Sequence, residues 1–241
     1  MSLAHPRFDE PCFTVDAEAF FAQHPPALRA LQRLERDTPL PPLSEPDAPR
    51  VLAPVDEPLV SVAHRRIRVL SNYWHAGWQE AIPGTYLRHA AMMRLGGVAS
   101  RLPEPWGLAV FDAWRPMELQ QQLFDAAYQD PETEPGFMAP VSHDQRTPPP
   151  HYTGGAVDLT LTYKGTPLSL GTGFDNTTSD AHTESLEGEP SVARTLRRVL
   201  YEIMSEAQFV VYAYEWWHFE YGTRRWAAIT GNDPLYGPAG S

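Results

Sequence analysis

Proline places the strongest limit on how this chain of 241 residues can fold. Residues 38–58 are dense in proline and polar side chains and show little helical or strand periodicity. Because proline fixes the backbone angle φ and lacks an N–H donor, such a segment does not enter the middle of a helix or a sheet. We therefore predict an extended segment that either links to the main domain or wraps around it. The predicted division is an N-terminal Pro-rich extension of residues 1–58 and a main domain of residues 59–241.

Charge and cysteine content limit the partners and the compartment. The formal net charge is −11, and the acidic residues are spread along the chain. This charge argues against binding to nucleic acids or anionic membranes, since phosphates attract clustered Lys and Arg. Cys12 is the only cysteine, so an internal disulfide is impossible. With no secretory signal and no apolar stretch of membrane-spanning length, we predict a soluble protein of the cytoplasm, whose oligomeric state the sequence leaves open.

The spacing of apolar residues predicts a mixture of helices and strands. The predicted helices cover residues 17–21, 27–36, 85–102 and 116–128 and a segment capped by Ser191, and the predicted strands cover residues 107–111, 157–161 and 209–221. Because these elements do not follow a strict βαβ order, an α+β fold is the better class. We expect a single domain with a central, mostly antiparallel sheet flanked by helices.

The sequence HYTGGAVD at residues 151–158 brings an imidazole and a carboxylate into one short segment. On a strand, Asp158 lies among apolar residues, so its side chain must be exposed, hydrogen-bonded or bound to a cation. The paired glycines just before the strand permit a tight turn that could return His151 to Asp158. Taken alone, each residue is also compatible with an ordinary surface position.

The sequence EWWH at residues 215–218 raises a geometric problem. A spacing of three on a regular strand places Glu215 and His218 on opposite faces. Either a bulge or turn intervenes, or Glu215 precedes the strand proper. An exposed Glu and a half-buried His in an aromatic strand is the competing interpretation.

These residues contain the parts of a hydrolytic zinc site. Catalytic zinc commonly has three protein ligands and an open position for water. His151, Asp158 and His218 supply three ligands, which leaves Glu215 as a base for the water. Arg115 follows a buried strand in FDAWRP and could stabilise a developing negative charge, although a surface Arg is the default there. The remaining histidines are predicted to be ordinary: His5, His24, His64, His75, His89, His143 and His182.

Four segments in order resemble the D-alanyl-D-alanine dipeptidases of the VanX type, which are zinc peptidases. They are FDAWRP at residues 111–116, HYTGGAVDLTL at 151–161, GTGFD at 171–175 and YEWWHFEY at 214–221. The resemblance implies that His151, Asp158 and His218 bind Zn²⁺. It further implies that Glu215 is the catalytic base and that Arg115 stabilises the transition state.

The same resemblance implies a small D,D-dipeptide substrate whose free ammonium is held by Asp175. One position departs from the family, since Pro149 stands where these dipeptidases often carry Ser. The implied activity is zinc-dependent hydrolysis of D-alanyl-D-alanine. A zinc D,D-carboxypeptidase acting on peptidoglycan stems and a non-catalytic zinc-binding module remain as alternatives.

Overall fold

The structure is a computed structural model that describes residues 12–32, 38–131, 133, 135–188 and 190–240. The strands are β1 (Val15–Asp16), β2 (Leu59–Ser61), β3 (Ile67–Val69), β4 (Tyr86–Arg88), β5 (Trp106–Asp112), β6 (Ala156–Tyr163), β7 (Thr166–Ser169), β8 (Val210–Tyr212) and β9 (Glu215–Glu220). The α-helices are α1 (Ala17–Gln23), α2 (Pro25–Gln32), α3 (Asn72–Ala76), α4 (His89–Arg101), α5 (Met117–Ala127), α6 (Val192–Glu206) and α7 (Arg224–Thr230). Short 3₁₀ turns occupy His151–Thr153 and Ser179–Ala181.

A seven-stranded, mostly antiparallel sheet forms the centre of the fold. Its main path runs β1-β7-β6-β5-β3, and β9 pairs with β6 and with β8. The pairings of β5, β7 and β9 with β6 and of β8 with β9 are antiparallel, whereas β1 with β7 and β3 with β5 are parallel. All eight positions of β6 are buried, because this strand has neighbours on both sides. The predicted α+β class with a central, mostly antiparallel sheet is confirmed.

The predicted elements are confirmed in place, with two corrections of extent. The helix predicted over residues 85–102 begins at His89, because Tyr86–Arg88 form β4 and pair with β2. The strand predicted over residues 209–221 is a hairpin of β8 and β9. Ser191 caps α6 as predicted, since its side chain accepts a hydrogen bond from the Arg194 N–H. Residues 33–36 of the second predicted helix lie outside the described residues.

The described part of the N-terminal segment lies against the rest of the fold. Strand β1 pairs with β7, and Phe21 of α1 packs in the main hydrophobic core. Farther along, the backbone N–H of Val51 donates to the carbonyl oxygen of Arg146, and that of Val55 donates to the carbonyl oxygen of Leu235. Residues 12–32 and 38–58 therefore contact several parts of the domain, and the boundary at residue 58 stays a prediction. Among the described residues, no helix combines the length and the apolar character that crossing a membrane requires.

Candidate metal centre

Strand register aligns the central groups of the site. Asp112 of β5 pairs with Asp158 of β6, and Asp158 pairs in turn with His218 of β9. Directly opposed residues of neighbouring strands direct their side chains to the same face. A register shift between Val110 and Asp112 precedes this row. The sheet therefore places the carboxylates of Asp112 and Asp158 and the imidazole of His218 side by side.

His151 enters from the turn before β6. The 3₁₀ turn ends at Gly154 with φ of +74°, a left-handed conformation that favours glycine. His151 Nδ1 lies 2.7 Å from the Ala113 carbonyl oxygen, which can only accept a hydrogen bond. The proton of a neutral ring must therefore sit on Nδ1, which leaves Nε2 with a free electron pair. That Nε2 atom lies 3.3 Å from Asp158 Oδ2.

His218 is fixed in a similar way by Glu220. His218 Nε2 lies 2.9 Å from Glu220 Oε1, and both residues are buried on β9. Burial raises the pKa of Glu220, but Arg225 and His218 outweigh burial and lower it to about 2, so Glu220 accepts from Nε2–H. The Nδ1 electron pair of neutral His218 then faces the centre, 3.0 Å from Asp158 Oδ1.

The donor atoms fit a metal ion. His151 Nε2 and His218 Nδ1 lie 3.1 Å apart, and each is within 3.3 Å of an oxygen of Asp158. In a tetrahedral zinc site with bonds of about 2.0–2.1 Å, neighbouring ligand atoms are about 3.3 Å apart. A proton can bridge only one pair of these atoms, whereas a metal ion can bind all three residues at once. Among the described residues, this buried His-Asp-His set is the group that could hold a metal ion.

The charges around the centre favour a positive occupant. Burial lowers the pKa of His218, but hydrogen bonds to Asp158 and Glu220 outweigh it and raise the pKa to about 10. Burial likewise raises the pKa of Asp158, yet His151 and His218 hold it below its ordinary value. The pocket therefore stabilises a cation, either a proton on His218 or a metal ion between the three donors.

Glu215 reaches the same centre because β9 is irregular. Val211 pairs with Phe219, but the next residue, Tyr212, pairs with Glu215, so β9 carries extra residues between these pairs. The irregularity brings Glu215 Oε2 within 3.8 Å of His218 Nδ1. Of the explanations that the sequence offered for the spacing of three, the structure therefore has the bulge. Burial is the main cause that raises the pKa of Glu215 to about 8.

Arg115 is buried rather than exposed, so the default surface interpretation is wrong. Its Nε donates to Asp112 Oδ2 at 2.9 Å and its Nη1 donates to Gln120 Oε1 at 2.9 Å. Its Nη2 lies 3.3 Å from Tyr73 Oη and 3.7 Å from Asp158 Oδ2. Burial lowers the pKa of Arg115, but the surrounding groups outweigh it and raise the pKa, so the guanidinium is a fixed positive charge beside the centre.

Asp175 lies on the loop after β7 with φ of +56°. Its carboxylate accepts a hydrogen bond of 2.7 Å from Tyr73 Oη. The neighbouring Phe174 stacks on Phe111 of β5 at 4.6 Å between ring centroids, which fixes the loop against the sheet. Burial raises the pKa of Asp175 well above its ordinary value, and Asp158 adds to this. A cation placed beside Asp175 would relieve that penalty.

All six predicted site residues line one cavity of about 240 Å³: Arg115, His151, Asp158, Asp175, Glu215 and His218. This volume is below the roughly 300–1,000 Å³ of pockets for drug-sized ligands, so the cavity suits a small molecule. Tyr212 and Arg225 contribute the wall on the side of β8 and α7. Pro149 lines a neighbouring cavity instead, whereas Pro150 lines this one.

Several groups around the centre were not identified from the sequence. Glu220 follows His218 by two residues on one strand, a spacing that could have indicated its role. Asp112 lies three residues before Arg115 in the motif and pairs with it. Tyr73 and Arg225 lie outside the four motifs, so no local pattern identified them.

The other described histidines do not belong to the metal group, which consists of His151, Asp158 and His218. His24 and His75 contact phenylalanine rings near the N-terminal segment, and His64 Nε2 lies 3.1 Å from Ser100 Oγ. His182 contacts the ring of Tyr214. His143 is exposed, and His5 lies outside the described residues.

Comparisons with known proteins identify the family of this chain and a relative. The sequence model of the family described as D-ala-D-ala dipeptidase (Peptidase M15) matches residues 88–230, a range that holds all six predicted site residues. The D-alanyl-D-alanine dipeptidase of Synechocystis sp. (strain ATCC 27184 / PCC 6803 / Kazusa) is 28% identical over 153 residues. That alignment covers 51% of this chain and 62% of the relative, less than two thirds of its length.

Proposed function

This chain belongs to the D-ala-D-ala dipeptidase family, and we propose that it hydrolyses D-alanyl-D-alanine to free D-alanine with a bound zinc ion. The observation that carries the proposal is the buried His151, Asp158 and His218 set, whose electron pairs converge beside Glu215 and Arg115. A structural metal needs neither a nearby base nor a buried guanidinium, so this combination favours catalysis.

His151, Asp158 and His218 would hold the ion. When bound, zinc lowers the pKa of water to about 7 and polarises a carbonyl group. The carbonyl of Ala113 and the carboxylate of Glu220 orient the two imidazole rings by their outer nitrogens. Such outer contacts set the tautomer of each ligand and increase its basicity.

Glu215 is the proposed general base. It takes a proton from the attacking water and passes it to the departing amine, which must be protonated to leave. Burial favours this role, since it raises the pKa of Glu215 towards the neutral range in which a general base works best. The bulge in β9 keeps the carboxylate on the same side as His218.

Arg115 is the proposed stabiliser of the negative charge that develops on the carbonyl oxygen. Asp112 and Gln120 hold its Nε and Nη1, so the guanidinium is oriented before the substrate arrives. Preorganised donors of this kind contribute roughly a hundred- to a thousandfold in rate.

Asp175 is the proposed partner of the substrate's free ammonium. Among the described residues, its buried carboxylate accepts one side-chain hydrogen bond, from Tyr73 Oη, and Asp175 lines the cavity. An ammonium there would supply the missing positive charge. This contact favours dipeptides over peptides whose amine is blocked by a longer acyl chain.

The decisive experiment is release of D-alanine from D-alanyl-D-alanine by the zinc-loaded protein. Glu215→Gln should keep its zinc and lose roughly 10²–10⁴-fold in turnover. Near wild-type turnover in that variant would remove Glu215 from the role of base. No release by zinc-loaded wild type across D,D-dipeptides would support the non-catalytic zinc module instead.

A blocked substrate separates the two peptidase activities. If Asp175 binds the ammonium, N-acetyl-D-alanyl-D-alanine should be cleaved far more slowly than the free dipeptide. Equal or faster cleavage of the acetylated peptide would identify a D,D-carboxypeptidase and contradict the dipeptidase proposal.

A further inference from the structure

Two cationic side chains line the cavity among the described residues, and they differ in their free donors. Each of the three nitrogens of Arg115 already has a partner, namely Asp112 on Nε, Gln120 on Nη1 and Tyr73 on Nη2. Arg225 donates from Nε to Glu45 Oε2 at 2.7 Å and from Nη1 to Glu220 Oε1. Arg225 Nη2 has no hydrogen bond to any described residue, although a guanidinium carries two N–H groups on that atom.

The contacts of Arg225 hold its position in the cavity wall. Its guanidinium lies 3.9 Å from the centre of the Tyr212 ring, and its side chain keeps 21% of its surface exposed. Glu45 comes from the N-terminal segment and also accepts a hydrogen bond from the Ala213 N–H. The side chain is therefore fixed by two carboxylates and one aromatic ring, with one nitrogen left for a ligand.

Sheet order places the two charged ends of the cavity on opposite sides of the metal group. In the neighbouring strands β5, β6, β9 and β8, the metal group lies on β6 and β9. Asp175 belongs to the β5 side, since Tyr73 joins it to Arg115. Arg225 belongs to the β8 side, since it stacks on Tyr212. The cavity thus has the carboxylate of Asp175 on one side and Arg225 Nη2 on the other, with the proposed catalytic groups between them.

We propose that Arg225 binds the free carboxylate at the C-terminal end of the dipeptide through Nη2, an inference that rests on the proposed function. A dipeptide is a zwitterion, with an ammonium at one end and a carboxylate at the other. With Asp175 on the ammonium and Arg225 on the carboxylate, the scissile bond lies beside the metal group. A guanidinium N–H suits this role, since it makes a short charge-assisted hydrogen bond to a carboxylate oxygen. The pair therefore selects both the length and the direction of the substrate.

A purely structural role is the competing explanation for Arg225. It would act through Glu220, which orients His218, so its loss would weaken zinc binding and slow the hydrolysis of every substrate alike. Carboxylate recognition instead predicts an effect confined to substrates that carry that charge. A substrate pair that differs only in this group separates the two explanations.

The test compares D-alanyl-D-alanine with its C-terminal amide in zinc-loaded wild type, Arg225→Gln and Arg224→Gln. Arg224 is a matched control, since it donates to the backbone oxygens of Pro49 and Ala48 and does not line this cavity. Wild type should have a KM for the acid roughly 10–100-fold below that for the amide, the range of a charge-assisted hydrogen bond. Arg225→Gln should bring that ratio close to one with zinc content maintained, and Arg224→Gln should keep it.

Two results would overturn the inference. One is an equal loss of activity on the acid and on the amide in Arg225→Gln. The other is a wild type with the same KM for both compounds. If wild type hydrolyses neither compound, the proposed function fails by itself. Calorimetric titration of the zinc-loaded proteins with acid and amide then still decides whether Arg225 recognises the carboxylate.

Discussion

At single positions, the metal group depends on what holds the outer nitrogen of each imidazole. His151 is held by a backbone carbonyl, whose position follows from the fold, whereas His218 is held by a carboxylate. Glu220 is itself bonded by Thr223 and Arg225, so the orientation of His218 passes through a chain of side chains. Side-chain mutations can therefore change the orientation of His218 more easily than that of His151.

Replacing Glu220 with Gln tests this chain of contacts. The amide keeps the shape but loses the charge that orients and polarises His218, so zinc affinity should fall roughly 10–100-fold. Competition with a chelator measures the change in zinc dissociation constant. Glu118→Gln is the matched control, because Glu118 is exposed on α5. Unchanged zinc affinity in Glu220→Gln would show that Glu220 does not position the ligand.

Residue chemistry made part of the site predictable and left another part hidden. Asp158 was identifiable because an acid within an apolar strand needs a partner, and the structure supplies His151 and His218. The grouping of Arg115 and Asp175 with them came from the resemblance to a family. Tyr73 joins these two by a contact 102 residues along the chain from Asp175, and nothing local indicates such a pairing.

Among the strands and turns, two register irregularities shape the centre. One lies between Val110 and Asp112 in β5, and the other lies between Glu215 and Phe219 in β9, opposite Val211 and Tyr212 of β8. The sequence left open whether a bulge or turn lies between Glu215 and His218 or whether Glu215 precedes the strand proper. Beside the second irregularity, the Ala213 N–H of the hairpin turn donates to Glu45, a residue far away in the sequence. Local periodicity does not contain that information.

The turn that carries His151 gives a test at Gly154. An added Cβ there would meet Leu59 Cδ2 at 2.5 Å in a left-handed backbone conformation. Gly165 shares the positive φ, but an added Cβ would meet nothing within 4 Å. Gly165→Ala should therefore cost only the conformational penalty of roughly 1–2 kcal/mol and keep zinc affinity. Gly154→Ala should cost more in the free energy of unfolding and also weaken zinc binding.

Urea unfolding and chelator competition measure the two quantities for both variants. The comparison isolates the clash at the His151 turn, because the conformational penalty is common to both. Equal effects of the two substitutions on stability and on zinc affinity would show that the turn tolerates displacement.

Across the chain, the N-terminal segment contributes to both the core and the site. Phe21 stacks on Trp106 with 6.0 Å between ring centroids, and Glu45 holds Arg225. The sequence predicted that residues 38–58 either link or wrap, and proline content alone could not choose. The choice depends on long-range contacts such as Val55 with Leu235, which link segments far apart in the sequence. The family match begins at residue 88, so the N-terminal partners in these contacts, Phe21, Glu45 and Val55, lie outside it.

Phe21→Ala tests whether residues 1–58 are a separable extension or part of one cooperative fold. Phe21 is 2% exposed and packs with Trp106 and Tyr163, so its truncation should cost about 3–5 kcal/mol. For a chain of this size, that loss lowers the melting temperature by about 6–20 °C. Leu52→Ala in the same segment is the control, because Leu52 is 81% exposed and should change stability by less than about 0.5 kcal/mol. A single cooperative transition shifted only in Phe21→Ala indicates one folding unit, whereas an unshifted transition would mean that the main domain folds independently of α1.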